Sequence, residues 1–268
     1  MRARVCQRWR LGRAFYRPAG EPFEPAAHEA EPISQAEAKP FVQRHHYSGS
    51  YPADRVRVGL FERWGGRLVG VAVFSVPVRA EVTTNYFEGD PLEHVELGRF
   101  VLLDHVAANA ETWLLARAFE VLEAARITSV VSFADPLPRE TATGHVVAPG
   151  HVGTIYQAKG AVYADRGRSR TLRLLPDGRV FSDRTRSKVR NGERGWRHAA
   201  AQLVRAGADA PVSDDPAYLR AWCDRWTDRV CRRVRHRGNH RYLFALHGGR
   251  LRPGVEARPF PKYPDHRT

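Results

Sequence analysis

Two stretches of the chain hold side chains that can move protons or bind a metal. In His45-His46-Tyr47-Ser48-Gly49, two imidazoles and a phenol stand beside a glycine. Imidazoles titrate near neutrality, so the pair could serve as base and orienter or as metal ligands; a helix end would equally suit one of them for capping or packing. Neighbouring helical residues face different ways, so both histidines could serve one metal only where the helix stops, and His46 with Tyr47 is the preferred pair. The second stretch is the apolar run Ile127–Ala134, closed by Asp135-Pro136. A carboxylate at the carboxyl end of a buried strand could accept a proton or ligate a metal, and Asp before proline is also a common turn former. His45, His46 and Asp135 would together resemble a two-histidine, one-carboxylate iron set. Arg99 has Glu96 and Asp135 as candidate ion partners.

These residues need elements to hold them. Ser34-Gln35-Ala36-Glu37 reads as a capping box that starts a helix towards His45, with Pro40 expected to kink or divide it. Val56–Phe61 and Arg67–Phe74, joined through Trp64-Gly65-Gly66, read as a hairpin, because glycine supplies the positive φ of a tight turn. Val95–Leu103 reads as a further strand. Trp113, Leu114, Ala118, Val121, Leu122 and Ala125 recur at helical spacing and predict a helix over 110–125 behind an Asn109 N-cap. Ile127–Ala134 is β-branched and apolar, as a buried strand is, and a loop follows to about Gly150. Gly153–Lys159 reads as a short helix ended by Gly160, with a strand over Ala161–Ala164. Ser169–Leu175 and Arg179–Ser182 flank Pro176-Asp177-Gly178 as a second hairpin. Helices are expected over 184–190, 194–205 and 215–233, and a strand near 242–246. The fold class is therefore α+β (mixed α/β), a central mixed sheet flanked by helices with a basic, mostly helical C-terminal extension. Residues 1–33 read as a basic arm, 34–182 as the catalytic domain and 183–268 as the extension.

The 268 residues carry a formal net charge of +14, unevenly spread: from Arg166 onward 25 Lys and Arg stand against 10 Asp and Glu, leaving 18 against 19 before it. A basic C-terminal part attracts polyanions. Codon bias towards arginine would give a solvated basic surface but does not segregate charge. Arg184, Arg186, Lys188, Arg190, Arg194 and Arg197 could track the phosphates of double-stranded DNA, and 232–237 form a second basic run. A helical extension could equally form a homodimer interface. Cys6, Cys223 and Cys231, odd in number and without metal-ligand spacing, suggest neither a disulfide framework nor a zinc site. No apolar run approaches the ~18 residues of a membrane span, and no secretory stretch follows the Arg-rich start, so a cytoplasmic protein with no membrane partner is expected.

Val95–Leu103, the loop to Asn109, the helix after it, Ser129–Asp135 and Gly153–Tyr163, in that order, resemble the core of the GNAT superfamily of N-acetyltransferases. The resemblance implies that a donor such as acyl-CoA lays its pantetheine arm along Glu96–Leu102, at Leu97, Arg99 and Val101. Its pyrophosphate would sit on the helix N-terminus at Asn109 and Ala110. The loop His105-Val106-Ala107-Ala108-Asn109-Ala110 departs from the superfamily in lacking spaced glycines, which limits how closely the backbone can approach a pyrophosphate. Tyr156 matches the tyrosine that protonates the departing thiolate there, a role suited to a phenol with a pKa near ~10. More narrowly, His45–Gly49, Glu96–Leu102, Ser132–Asp135 and Gly153–Tyr163 resemble the family of the bacteriophage Mu Mom protein, over about residues 34–175. That family resemblance implies addition of a carbamoylmethyl (acetamido) group to N6 of adenine in double-stranded DNA, which protects phage DNA from host restriction. It also implies a small-group donor, acyl-CoA or another, and a requirement for iron. Under it Asp135, Tyr156, His46 and Tyr47 are the catalytic candidates, and His46 and Asp135 the metal candidates. The N6 lone pair is delocalised into the ring, so transfer to it needs positioning, proton removal and a base taken out of the stack. The competing readings are an N-acetyltransferase for a small molecule or protein, an adenine methyltransferase suggested by Asp135-Pro136-Leu137-Pro138, and a non-catalytic DNA-binding protein.

Overall fold

The computed structural model describes residues 23–148 and 150–262, with the backbone of 5–10 and 13–18. In chain order the elements are β1 (Val5–Arg10), β2 (Arg13–Pro18), β3 (His28–Pro32), α1 (Gln35–His45), β4 (Asp54–Glu62), β5 (Arg67–Ser75), α2 (Glu81–Thr84) and β6 (His94–Leu102). They continue with α3 (Ala110–Ala124), β7 (Ser129–Ala134), β8 (Arg139–Glu140), β9 (Val146–Ala148), α4 (Thr154–Ala158) and β10 (Val162–Arg166). The last are β11 (Arg170–Leu174), α5 (Asp183–Arg190), α6 (Trp196–Arg205), α7 (Pro216–Val230), β12 (Arg232–His236) and β13 (His240–Ala245). The chain divides into two compact units. One comprises Met1–Pro136, Gly150–Gly167 and Asn239–Thr268, the other Leu137–Pro149 and Arg168–Gly238.

The first unit is built on a seven-stranded sheet in the order β10-β13-β7-β6-β5-β4-β3. Only β6 and β7 run parallel, and α3 is the crossover that parallel neighbours require. Because successive strand residues face opposite sides, the sheet offers two apolar faces. Val71, Val73 and Val101 pack with Ala38 and Val42 of α1. Val58, Leu60, Ala72, Phe74 and Val130 pack with Leu114, Leu115, Ala118 and Leu122 of α3. The second unit has its own core, in which Phe181, Val189, Trp196, Leu203, Leu219 and Trp222 knit α5, α6 and α7 together. It also holds the antiparallel ribbon β11–β12 and the short β8–β9 pair. Cys223 and Cys231 are buried free thiols within it.

Local rules account for most of these elements. The Ser34 hydroxyl accepts from the Glu37 amide at 3.3 Å while the Glu37 carboxylate accepts from the Ser34 amide at 2.8 Å, a complete capping box. Pro40 does not divide α1; it lies on the exposed side, where the carbonyl it leaves without a helical donor can take water. Asn109 precedes α3 as expected but makes no side-chain cap. It takes the left-handed conformation, φ 77°, instead.

Four expectations change. His28–Pro32, within the stretch read as an arm, is an edge strand paired with β4. The turn at Pro176-Asp177-Gly178 is present, but β11 pairs with β12, and Val180 makes only a bridge to Leu174. The final helix stops at Val230, and 232–236 become strand. The division at residue 182 also differs from the observed one: Arg168–Gly238 lies in the second unit, and Asn239 onward returns to the first, with β13 between β7 and β10.

Gly153, which opens α4 at φ +77°, is doubly constrained, since an added Cβ would lie 2.5 Å from Tyr242 Cε2 and 2.9 Å from Tyr156 Cδ2. Gly65 also has positive φ, +101°, but open space around it. In thermal or denaturant unfolding, Gly65→Ala is expected to cost about 1 kcal/mol from backbone strain alone, and Gly153→Ala about 3 kcal/mol. Equal losses would contradict the packing at α4.

Candidate active site

The site begins with a defect in the central strand. β6 and β7 pair only from His94↔Ser129 to Leu97↔Ser132. On its other side, β6 changes register against β5 between Phe74↔Leu97 and Val73↔Arg99, so Gly98 is an extra residue, a β-bulge. A Cβ at Gly98 would lie 2.5 Å from Ser75 Oγ and 3.2 Å from Pro52 Cγ, so this close approach needs glycine. The bulge bends β6 away from β7. Beyond Leu97, β6 has no strand partner on its β7 side among the described residues. Main-chain amides and carbonyls left open in this way can pair with an extended, amide-bearing ligand.

At the parting point Tyr156 and Ser132 are buried, and half-buried Tyr47, Glu96 and Arg99 are coupled to them. Tyr156 of α4 is 5% exposed, and its phenol is pushed up to about 12, first by burial; the Ser132 hydroxyl works in the opposite sense, while Tyr47, Tyr242 and Glu96 add to the rise. Glu96 is raised by burial and partly drawn back by Arg99. The Arg99 guanidinium is lowered by burial, against the pull of Tyr47 and Glu96. Arg99 is held by the Ser50 carbonyl at 2.9 Å, the Ser50 hydroxyl at 2.8 Å and the Gly98 carbonyl at 2.5 Å. It makes no direct ion pair with Glu96. Tyr47, Glu96, Arg99, Ser132 and Tyr156 thus form one electrostatic group.

His46 caps the end of α1 in extended conformation, so the helix does stop between the two histidines. Its ring lies against Tyr47 with centroids 4.3 Å apart. Nδ1 accepts the Ser48 amide at 3.2 Å and lies 2.9 Å from Ser48 Oγ, which leaves Nε2 as the protonated nitrogen of the neutral ring. His45 instead packs on Phe41 at 4.7 Å, and burial lowers its pKa.

The remaining candidates fall as follows. Leu97 and Val101 are buried, 5% and 7% exposed, so any contact they make with a donor is through the main chain. Asn109 and Ala110 form the entry to α3, and the left-handed Asn109 supplies a turn for which the loop has no glycine. Asp135 lies just past β7, and its carbonyl accepts the His151 amide at 2.8 Å. The carboxylate that acts on Tyr156 is Glu96. The iron expectation is not met, because no group of three His, Cys, Asp or Glu that could hold a metal occurs among the described residues. Of the basic cluster read from sequence, Arg186 and Arg190 pair with Asp224, Arg184 with Glu193 at 2.8 Å and Arg197 with Asp214 at 3.6 Å. Lys188 and Arg194 have no carboxylate partner among the described residues. Among the described residues no helix is long and apolar enough to cross a membrane.

Glu96 is the residue that sequence reasoning missed. In a regular strand, residues 96 and 99 face opposite sides, and only the bulge at Gly98 lets both act at one place. The available signal was Gly98 itself, an isolated glycine inside a strand pattern.

The mixed sheet with its parted central pair defines a GNAT-like fold. The model of the Mom protein family matches residues 28–262, and the chain belongs to that family. No curated protein matches the chain. Similar solved structures include a ribosomal-protein alanine acetyltransferase from Vibrio fischeri, 12% identical over 59% of this chain and 90% of that one, with a TM-score of 0.37. A ribosomal-protein alanine N-acetyltransferase from Escherichia coli is 12% identical over 57% and 88%, with a TM-score of 0.35. An acetyltransferase from Bacillus subtilis in complex with CoA is 10% identical over 82% and 97%, with a TM-score of 0.34.

The raised Tyr156 pKa has a consequence for stability. Folded Tyr156 keeps its proton to about 12, whereas the unfolded chain gives it up near ~10, so the contribution is complete below pH ~10 and is lost as pH rises towards 12. Tyr156→Phe is expected to flatten the fall in unfolding free energy between pH ~10 and ~12 by on the order of 2 kcal/mol. An unchanged slope would show that the phenol is not buried as described.

Proposed function

We propose that this chain is a transferase that adds a carbamoylmethyl (acetamido) group to N6 of adenine in double-stranded DNA, protecting phage DNA from restriction in the host cytoplasm. The observation that carries the reading is the group of buried Tyr156 with half-buried Tyr47, Glu96 and Arg99 at the parting of β6 and β7, in a chain of the Mom protein family.

The donor's arm fits the unpaired side of β6, at the main chain of Leu97, Arg99 and Val101, with an anionic tail towards the Asn109–Ala110 entry of α3. When bound, a donor that carries the carbamoylmethyl group through its methylene carbon on a leaving atom would supply the activated carbon; a simple acyl-CoA would leave an acyl group on N6 instead. Glu96, with its carboxyl raised by burial, is a stronger base than a solvated carboxylate and is suited to accept a proton from the amine. Arg99 pulls that carboxyl back down, favouring its charged form. Tyr156, fully protonated at neutral pH, donates to the leaving atom. The bond from N6 to the transferred carbon forms as the bond from that carbon to the leaving atom breaks. Glu96 holds the proton shed by N6, Tyr156 gives up its own, and transfer from Glu96 to Tyr156 restores both. His46 positions Tyr47 by stacking, and Asp135 stands at the strand end where a flipped base would enter.

Nucleoside mass spectrometry of plasmid DNA from expressing cells tests this directly. Wild type is expected to yield a heavier deoxyadenosine, and Tyr156→Phe and Glu96→Gln to lower its rate of formation by about 10²–10⁴-fold. Asp135→Asn, compared alongside, separates the two carboxylates. Unmodified nucleosides from cells holding soluble wild-type protein, or full modification by both variants, would overturn the reading.

A further inference from the structure

The second unit carries 19 Lys and Arg against 9 Asp and Glu, yet its helices use their carboxylates as partners for arginine. Asp224 takes Arg186 and Arg190, Glu193 takes Arg184, and Asp214 takes Arg197. Lys188, Arg194, Arg205, Arg220, Arg225 and Arg229 have no carboxylate partner among the described residues and are spread over the helices and the turn between them, whereas 232–237 hold four arginines in six residues. In the β11–β12 ribbon, Thr171↔Arg235 and Arg173↔Arg233 are opposed pairs, which place their side chains on one face, while Leu172, Leu174 and Val234 turn to the other. Leu172 and Leu174 are buried, and Arg232, Arg233, Arg235 and Arg237 are exposed. Opposed like charges cost stability in a sheet, and here the cost is reduced only locally, by Asp183 on Arg173 at 2.9 Å and Asp228 on Arg233 at 2.6 Å. Arg232, Arg235 and Arg237 have no carboxylate partner among the described residues, and 232–238 contain no acidic residue.

We propose that the β11–β12 ribbon is the surface on which double-stranded DNA docks, with Arg233 and Arg235 on its open face and Arg237 just beyond them neutralising phosphates. The proposal rests on the DNA-modification reading and names the contact that reading requires. Charge complementarity selects a polyanion, and shape selects the duplex: a two-stranded ribbon, its strands ~4.8 Å apart, fits a major groove ~12 Å wide. Four of the six basic residues in the helical cluster read from sequence already pair with carboxylates, whereas 232–238 hold four arginines and no acidic residue.

Fluorescence anisotropy of the full chain with a labelled duplex, over a salt series, tests the ribbon. The triple variant Arg233→Ala, Arg235→Ala, Arg237→Ala is expected to bind about tenfold or more weakly, with the salt dependence shallower by about two to three units of slope. Its melting temperature should be retained, and the Arg→Lys triple should restore most of the binding. Lys188→Ala with Arg194→Ala should change affinity little. Wild-type binding with no loss in the ribbon triple, or a loss confined to the Lys188 and Arg194 variant, would overturn the ribbon while leaving the modification reading intact. Stronger binding of single strands than of duplex would also overturn it. Absence of any nucleic-acid binding by wild type would overturn both.

Discussion

The rest of the site depends on one steric constraint, the contact between the Gly98 backbone and Ser75. A residue with a side chain would put its Cβ 2.5 Å from Ser75 Oγ and 3.2 Å from Ser75 Cβ and Pro52 Cγ, so the extra residue that bends β6 is accommodated without displacing them only as glycine. The bend ends the parallel pairing at Leu97↔Ser132, opens one side of the strand and turns Glu96 and Arg99 towards a common partner. α3 follows from the same feature, because parallel neighbours need a crossover, and its entry at Asn109 lies just beyond the open strand. α4 then brings Tyr156 against Tyr242 and Phe244, with ring centroids 5.3 and 6.4 Å away, which fixes the phenol where β6 and β7 separate.

Sequence reading worked where local rules decide structure. The Ser34–Glu37 capping box, the Gly65-Gly66 turn and the apolar spacing of α3 each act within a few residues, and each element formed. It failed where a distant partner decides. His28–Pro32 buries little of its surface, so no alternation marks it, and it becomes a strand only because β4 offers an edge. Residues 232–236 continue the charged pattern of α7 until pairing with β11 draws them into a strand. At the site, Tyr47, Arg99 and Tyr156 were legible as members of short motifs, whereas Glu96 was not, since strand alternation assigns it to the face opposite Arg99. The metal set failed for a geometric reason. With α1 ending at His45, His46 turns to Ser48 and Tyr47 while His45 stays on Phe41.

Charge serves different ends in the two units. Around Tyr156 there are few charges, and they are half-buried, so water and salt screen them less than at the surface and each shifts its neighbours. In the helical unit charges are many and exposed, and surface pairs such as Arg197 with Asp214 contribute little to stability. Their net sign, rather than any single pair, is what a distant polyanion meets.

The parting of β6 from β7 is the central claim, and amide hydrogen exchange read residue by residue by NMR tests it most directly. The account predicts slow exchange through 94–97 and fast exchange at alternate amides of 98–102, those facing away from β5, with protection gained when acetyl-CoA or the true donor is added. Uniform protection across 94–102 in the free protein would mean that the strand is fully paired, and that no open edge exists for a donor.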